Sequence, residues 1–339
     1  MIKEKKRYKK LKKLLLVVLL ILLAFFLLSL RKIPTDVTYG VSFSKFHSDE
    51  LRLDWREAYM AILSDLKVRH VRLTAHWPMI EPEEGKYNFS EIDYQMNEAK
   101  NLGVDVILAI GRRLPGWPEC HEPDWAKNLD EEKKKERILA LVSAIVGRYK
   151  NYSNLKYWQV ENEYFLTLYG RGPCGKSFGE DFLKKEMALV RRIDPDHKIM
   201  LTDGGEFGAW YKAYKNADIF GSSLYLYIWS HFKFIGPTRY PITPGFFRIK
   251  QNLINLFFGR KPIILIELST EPYLIHPILE TPVEVTNERM SPDKFKEVVS
   301  VARQGGFDTQ YFWGAEWWYY EKINGRPQIW GEAKKIFSR

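Results

Sequence analysis

The sequence predicts an α/β domain built as a (β/α)8 (TIM) barrel and preceded by one N-terminal transmembrane helix. Short apolar runs alternate with amphipathic stretches about eight times within residues 33–339, and this alternation is typical of βα units around a parallel sheet. Upstream, residues 14–30 carry no charge, and such an apolar stretch predicts a membrane span. We therefore expect a basic flank at 1–13, a signal anchor at 14–30 and one barrel domain at 33–339.

The basic charge of the chain is concentrated in its first tenth. Ten of the 52 Lys and Arg residues lie in residues 1–32 together with one acid, so this segment carries +9 of the net charge of +10. The 17 residues of the apolar stretch extend about 26 Å as a helix, close to the roughly 30 Å of a hydrocarbon layer. The positive-inside rule places the Lys-rich start in the cytoplasm and the barrel outside. A cleaved signal peptide is the main alternative, although Ser29-Leu30-Arg31 offers no small-x-small cleavage site.

The rest of the chain excludes several classes of function. Residues 33–339 carry a net charge of only +1, so they lack the clustered cations of a nucleic-acid-binding protein. There is no CxxC, HxH or HExxH pattern, and we therefore expect no metal and no cofactor. Whether Cys120 and Cys174 pair is open, and so is the oligomeric state.

The elements of the barrel follow in order along the chain. An open doubly wound sheet is the alternative, but it needs fewer units and usually has a Gly-rich phosphate loop, which this sequence lacks. The predicted strands are 37–43, 70–74, 104–111, 157–160, 198–201, 219–225, 262–266 and 309–313. The predicted helices are 55–66, 93–102, 130–149, 178–193, 208–215, 246–258, 291–304 and 332–337. The longest loops follow strand ends, so they meet at the C-terminal face, where this fold builds its active sites.

Two of these strands lead directly into carboxylates. The fourth strand runs into Glu161-Asn162-Glu163, and the seventh into Glu267. Carboxyl groups that face each other across the barrel mouth suit glycosidic bond cleavage, because one protonates the leaving oxygen while the other attacks the anomeric carbon.

These residues resemble the large clan of retaining glycoside hydrolases with a (β/α)8 barrel, whose hallmark is an Asn-Glu pair after the fourth strand. The match is Asn162-Glu163, and the string QVENEY is most similar to the β-galactosidase version of the motif. The resemblance implies that Glu163 is the general acid/base, that Asn162 bonds the substrate 2-hydroxyl and that Glu267 is the nucleophile.

Other strand ends extend the resemblance. Arg72 is similar to the arginine of the clan that holds the nucleophile ionised, and Tyr225 closes a segment similar to D-x-x-G-x-N-x-Y, with Ser223 in place of the more common Asn. Trp313 would form the floor under the sugar. The stretch 77–89 is similar to the W-x-x-I-E-P-x-x-G-x-Y-x-F loop of the clan. Further candidates to line the cleft are His76, Trp77, Trp117, Asp203 and Glu206.

Each assignment has an alternative. Glu161 is a second candidate acid, Glu267 and Arg72 can be a structural ion pair, and Trp313 can fill space. The aromatic content of 15% favours a sugar site, because sugar rings present apolar C–H faces. We therefore predict a membrane-anchored, extracytoplasmic glycosidase that cleaves O-glycosidic bonds of an oligo- or polysaccharide. A catalytically silent carbohydrate-binding barrel is the alternative, and the sugar, the linkage and endo or exo action stay open.

Overall fold

Eight parallel strands close into a barrel in the computed structural model, which describes residues 2–30, 33–116, 119–166, 177–229 and 236–338. The strand order around the barrel is β1-β2-β3-β4-β5-β6-β9-β10, and β10 pairs with β1. Strands β7 and β8 form a separate antiparallel hairpin. The strands are β1 Thr38–Phe43, β2 His70–Thr74, β3 Asp105–Ile110, β4 Leu155–Val160, β5 Lys198–Asp203, β6 Ile219–Leu224, β7 Tyr227–Trp229, β8 Pro237–Arg239, β9 Ile263–Ser269 and β10 Thr309–Trp313. The predicted barrel class is confirmed.

Helices surround the barrel, and those of the main ring match the predicted segments to within a few residues. The helices are α1 Ile2–Ser29, α2 Lys45–Glu50, α3 Trp55–Ser64, α4 Trp77–Ile80, α5 Ser90–Asn101, α6 Asp124–Lys127, α7 Glu131–Tyr149, α8 Glu180–Ile193, α9 Tyr211–Asn216, α10 Pro244–Phe258, α11 Val283–Arg289, α12 Pro292–Gln304, α13 Ala315–Ile323 and α14 Gln328–Phe337, with a 3-10 turn at Ile278–Glu280. The short helices α2, α4, α6 and α11 and the longer α13 lie in segments predicted as loops.

The core has two layers, as a barrel of this class requires. Inside the barrel, apolar side chains from five of the strands form a separate cluster; they are Ile107, Met200, Ile219, Ile264, Ile266 and Tyr311. A larger apolar layer lies between the strands and the helices. Polar side chains such as Arg72 and Gln159 are fully buried towards the C-terminal end of the barrel, so this end holds the candidate site.

Strand β9 is longer than predicted. It continues through Ser269, which pairs with Trp313 of β10. Glu267 therefore projects from inside the strand rather than from the loop after it. A position inside a hydrogen-bonded strand gives this carboxylate a rigid backbone.

The N-terminal helix α1 is continuous from the basic flank through the apolar stretch. Within it, Tyr8–Ser29 is long and apolar enough to cross a membrane, with a mean hydropathy of 2.8, and this window is not buried against the barrel. The end of α1 contacts α10, where Asn252 Nδ2 donates a hydrogen bond to the Leu28 carbonyl over 2.7 Å.

Candidate active site

Arg72 links two other predicted site residues, Glu267 and Asn162. Its fully buried guanidinium projects from β2 at the C-terminal end of the barrel. Nη1 donates to Glu267 Oε2 over 2.9 Å, and Nη2 donates to Asn162 Oδ1 over 2.9 Å. A charge-assisted fork of this kind fixes both acceptors relative to each other.

Glu267 receives a hydrogen bond on each carboxylate oxygen. Arg72 donates to Oε2, and the Tyr225 hydroxyl donates to Oε1. Burial, and then the negative charge of Glu267, raise the pKa of Tyr225 well above its usual value. Tyr225 therefore remains a hydroxyl donor at neutral pH, and an ionised carboxylate is the acceptor that this pair of donors suits.

Glu163 follows β4, which is three strands away from β9 around the barrel. Its Oε1 accepts a hydrogen bond from Ser223 Oγ over 2.9 Å, and its backbone N–H donates to Thr202 Oγ1 over 2.8 Å. Burial, followed by repulsion from Glu119 and Glu267, raises the pKa of Glu163 well above that of an ordinary glutamate. A carboxyl group whose pKa is raised suits general acid chemistry.

Glu161 has a different task. If the strand continued, alternation would point the Glu161 and Glu163 side chains the same way. This expectation is wrong, because β4 ends at Val160 and both residues have a left-handed backbone, with φ of 61° and 42°. The Glu161 carboxylate instead accepts the backbone N–H groups of Arg112 and Arg113, each over 2.7 Å.

Glycine makes room for this buried carboxylate. Gly111 directly follows β3, and a Cβ at its position would lie 2.5 Å from Glu161 Oε1. Its φ of 119° is also a conformation that glycine alone adopts readily. Glu161 therefore supports the loop after β3 rather than the cleft.

The Asn162 side chain is held in one orientation. Oδ1 accepts from Arg72, from Gln159 Nε2 over 3.1 Å and from Thr202 Oγ1 over 3.1 Å. The amide nitrogen is left to donate towards Glu119, whose Oε1 is 3.4 Å away. The side chain thus presents a donor to the cleft.

Glu119 is a carboxylate that sequence reasoning missed. It accepts a hydrogen bond from Arg113 Nε over 2.6 Å. Burial raises its pKa against the opposing charge of Arg113, and Glu267 adds to the rise. The next residue, Cys120, is disulfide-bonded, while Trp117 and Cys174 lie outside the described residues. No regular element precedes Glu119, so no sequence signal marked it.

Trp313 is fixed by a second network that the sequence did not predict. Its indole N–H donates to Glu271 Oε1 over 2.7 Å, and the other oxygen of Glu271 lies 2.7 Å from His47 Nε2. The His47 ring also stacks on Trp313 with centroids 6.0 Å apart. Burial alone would lower the pKa of His47, but Glu271 and Glu50 more than offset this and raise it well above its usual value.

The remaining candidates for the cleft make packing contacts and hydrogen bonds with neighbouring protein groups. His76 is buried against Phe46, and the indole N–H of the fully buried Trp77 donates to Glu81 over 2.8 Å. Asp203 accepts the backbone N–H groups of Gly204 and Trp210. Glu206 accepts the Tyr225 N–H over 2.7 Å, and burial raises the Glu206 pKa to about 7. Among the residues that the structure describes, no group of three or more His, Cys, Asp or Glu side chains is arranged to hold a metal ion.

Comparison with known proteins shows similarity to glycoside hydrolases. The Glycosyl hydrolase family 10 profile matches residues 71–219. The β-galactosidase LacZ of Lactobacillus acidophilus is 29% identical over 135 residues, which cover 35% of this chain and 20% of LacZ. The endo-1,4-β-xylanase A of Humicola insolens is 27% identical over 132 residues, covering 38% of this chain and 33% of the xylanase. The predicted resemblance to (β/α)8 glycoside hydrolases is confirmed.

Solved glycoside hydrolase structures share the fold. GH5_18 from Bifidobacterium longum subsp. longum superposes with a TM-score of 0.59 at 13% identity, over 82% of this chain and 70% of that one. Gan42B, a GH42 β-galactosidase from G. stearothermophilus, gives 0.56 at 13% identity over 91% and 58%. The sequence matches span only a fifth to a third of the curated relatives. The profile match contains Arg72, Asn162 and Glu163 and ends before Glu267.

Proposed function

We propose that the chain is a membrane-anchored, extracytoplasmic glycosidase that uses a retaining double displacement. The observation that carries this proposal is the shared support of the two carboxyl groups by one strand end. Ser223 donates to Glu163, and Tyr225, two residues later, is the donor to Glu267. Ser223 lies in β6, which ends at Leu224, and Tyr225 is the first residue after that strand. Two carboxyl groups that accept hydrogen bonds from one strand end suit retaining chemistry, which needs them roughly 5–5.5 Å apart.

The first half-reaction forms a glycosyl-enzyme. Protonated Glu163 gives its proton to the glycosidic oxygen, while Glu267 attacks the anomeric carbon and the aglycone leaves with that proton. The raised pKa of Glu163 keeps the acid protonated at the start. Arg72 and Tyr225 hold Glu267 in line for attack.

The second half-reaction reverses these roles. Glu163, now a carboxylate, takes a proton from water as the water oxygen attacks the anomeric carbon, and Glu267 departs as the leaving group. Asn162 donates to the sugar 2-hydroxyl, and Trp313 forms the floor beneath the ring. Glu271 and His47 position Trp313 without touching the reacting atoms.

The substrate that we propose is a β-linked sugar. Both named relatives, a β-galactosidase and an endo-1,4-β-xylanase, bear names of β-glycosidases. Turnover of a panel of aryl β-glycosides by the full chain tests this proposal: it should be lost in Glu267→Gln, and in Glu163→Gln it should fall most for poor leaving groups. Oligosaccharide binding without turnover by the wild type would instead support the silent binding barrel.

The membrane anchor is the second part of the proposal. It is supported by the exposed apolar helix α1 and by the basic flank before it. Membranes of expressing cells should retain the chain through alkaline carbonate washing, and protease added outside should digest the barrel. A soluble mature protein that begins near Lys32 would show a cleaved signal peptide instead.

A further inference from the structure

We propose that the end of α10 is a lipid-docking surface that seats the N-terminal end of the barrel on the bilayer holding α1. The surface consists of Leu256, Phe257 and Phe258, together with Arg260. This inference rests on the proposed membrane anchor and adds an interaction surface and an orientation to it.

The apolar part of the docking surface is strongly exposed. Leu256 is 70% exposed, Phe257 72% and Phe258 41%. The preceding turns of α10 bury Phe247 and Ile254 against the barrel. Three consecutive large apolar side chains in water are unfavourable, and a contiguous patch of this kind marks a contact surface.

The docking surface lies at the end of the barrel where the chain enters it. Helix α10 leads into β9, so its last turn is at the N-terminal end of the strands. The chain leaves α1 at Ser29 and starts β1 at Thr38, at this same end. Only β10 separates β1 from β9 in the barrel, which places the starts of the two strands about 10 Å apart.

The depth of the docking surface matches a bilayer boundary. The Leu28 carbonyl, near the end of the apolar stretch, accepts a hydrogen bond from Asn252 over 2.7 Å. Phe257 lies five residues further along α10, about 7.5 Å along the helix axis. Apolar faces of membrane-surface helices sit about 5–10 Å into the boundary between headgroups and acyl chains. Phe257 therefore lies within that range of distances from the Leu28 contact.

The charges around the docking surface suit lipid phosphates. Residues 256–262 contain no acidic residue and two basic ones, Arg260 and Lys261. Exposed Arg260 follows Gly259, which turns the chain back with a φ of 79°. A guanidinium beside exposed aromatic rings binds phosphate while the rings enter the apolar layer. In this orientation the catalytic mouth opens away from the bilayer.

Lipid contact can be measured on the full chain reconstituted in phosphatidylcholine–phosphatidylglycerol vesicles. Phe257→Cys carries a bimane label, and doxyl-labelled phospholipid serves as the quencher. Phe207→Cys is the matched control, because Phe207 is a 44% exposed aromatic in the loop after β5, at the opposite end of the barrel. Cys120 is already disulfide-bonded and does not compete for the label.

We expect quenching at position 257 to exceed that at position 207 at least about threefold, as a depth of about 5–10 Å implies. Equal quenching at the two positions in vesicles that retain the chain would overturn the docking surface while leaving the anchor intact. Protection of the label at 257 without quenching would show a second copy as the occupant and would also overturn it. Release of the whole chain by carbonate would refute the anchor, and the docking surface with it.

Discussion

At the C-terminal end of the barrel charged groups are buried, whereas at the N-terminal end large apolar side chains are exposed. Arg72 and Glu267 at the first end are almost inaccessible to water, while Leu256 and Phe257 at the second are about 70% exposed. Both arrangements are unfavourable for a protein surrounded by water alone.

The contrast between buried charges and exposed apolar side chains indicates which environment each end of the barrel suits. Buried charges persist only when they are paired and hydrogen-bonded. Glu163 and Glu267 at the barrel mouth each accept such hydrogen bonds. Exposed aromatic and aliphatic side chains persist when another apolar phase covers them. The first end therefore fits a sugar whose hydroxyls and oxocarbenium charge need fixed polar groups, and the second fits lipid.

The largest effect is expected at the buried carboxyl groups. Glu163→Gln should lower kcat/KM on glycosides with poor leaving groups by about 10²–10⁴-fold, because the amide cannot donate an acidic proton. Aryl glycosides with good leaving groups should lose much less in the first step, since their departure needs little protonation. Steady-state and burst kinetics across a leaving-group series measure this difference.

Glu132→Gln on α7 is the control, because its side chain is 81% exposed. It should match the wild type on every substrate. An equal loss for good and poor leaving groups in Glu163→Gln would contradict the general acid role.

A smaller effect is expected from the network behind Trp313. Glu271→Ala removes the acceptor of the indole N–H and should lower kcat/KM about 10-fold, the size of one lost hydrogen bond to a charged group. Glu271→Gln keeps an acceptor oxygen and should retain more activity. The indole N–H resonance of Trp313 should shift in the Ala variant and move less in the Gln variant. Wild-type kinetics in Glu271→Ala would show that Trp313 needs no support.

The burial of acidic side chains at the C-terminal end of the barrel should also affect how the free energy of unfolding depends on pH. Glu316 is buried at the start of α13, and desolvation raises its pKa from 4.5 to about 7. The native state thus binds more protons than the unfolded state between these values, so stability falls as pH rises through this window. The raised pKa of His47 acts in the same direction.

Glu316→Gln removes this dependence. Relative to the wild type, its free energy of unfolding should rise by at most about 2–3 kcal/mol between pH 5 and pH 8, at about 1.4 kcal/mol per pKa unit. Urea unfolding at the two pH values measures the difference. A wild-type pH slope in the variant would mean that Glu316 ionises as easily when folded as when unfolded.

The smallest effect on turnover is expected at the opposite end. Leu256→Ser with Phe257→Ser should leave kcat/KM for a soluble aryl glycoside within about twofold of the wild type, because these side chains contribute exposed area and no contact with the mouth. A large loss of kcat/KM would show that the two ends of the barrel are coupled and would contradict their separate roles.

The main features of the barrel mouth were predictable from the sequence because their signals are local. An apolar run that ends in a charge marks a strand end, and this pattern pointed to the acids at 161–163 and to Glu267, whereas the family resemblance pointed to Arg72. Their assigned chemical roles remain predictions. The structure adds that Arg72 bonds both Asn162 and Glu267. Arg72 and Glu267 are 195 residues apart in the sequence.

The residues that support Trp313 were not predictable from the sequence, because only the closure of the barrel brings them together. His47 and Glu271 are 224 residues apart and lie outside the predicted strands and helices. Strand alternation also gave the wrong side-chain direction for Glu161, because β4 ends at Val160, one residue before Glu161, and the backbone of Glu161 is left-handed. Periodicity predicted helix 246–258, but it did not indicate that its last apolar residues face outwards.

The most direct test of the central claim is the stereochemistry of the wild-type reaction. Time-resolved proton NMR of the full chain hydrolysing its best aryl β-glycoside detects the anomer that is released before mutarotation. Attack by Glu267 followed by water aided by Glu163 requires the β anomer first. Release of the α anomer first would contradict the double displacement and the pairing of these two carboxyl groups.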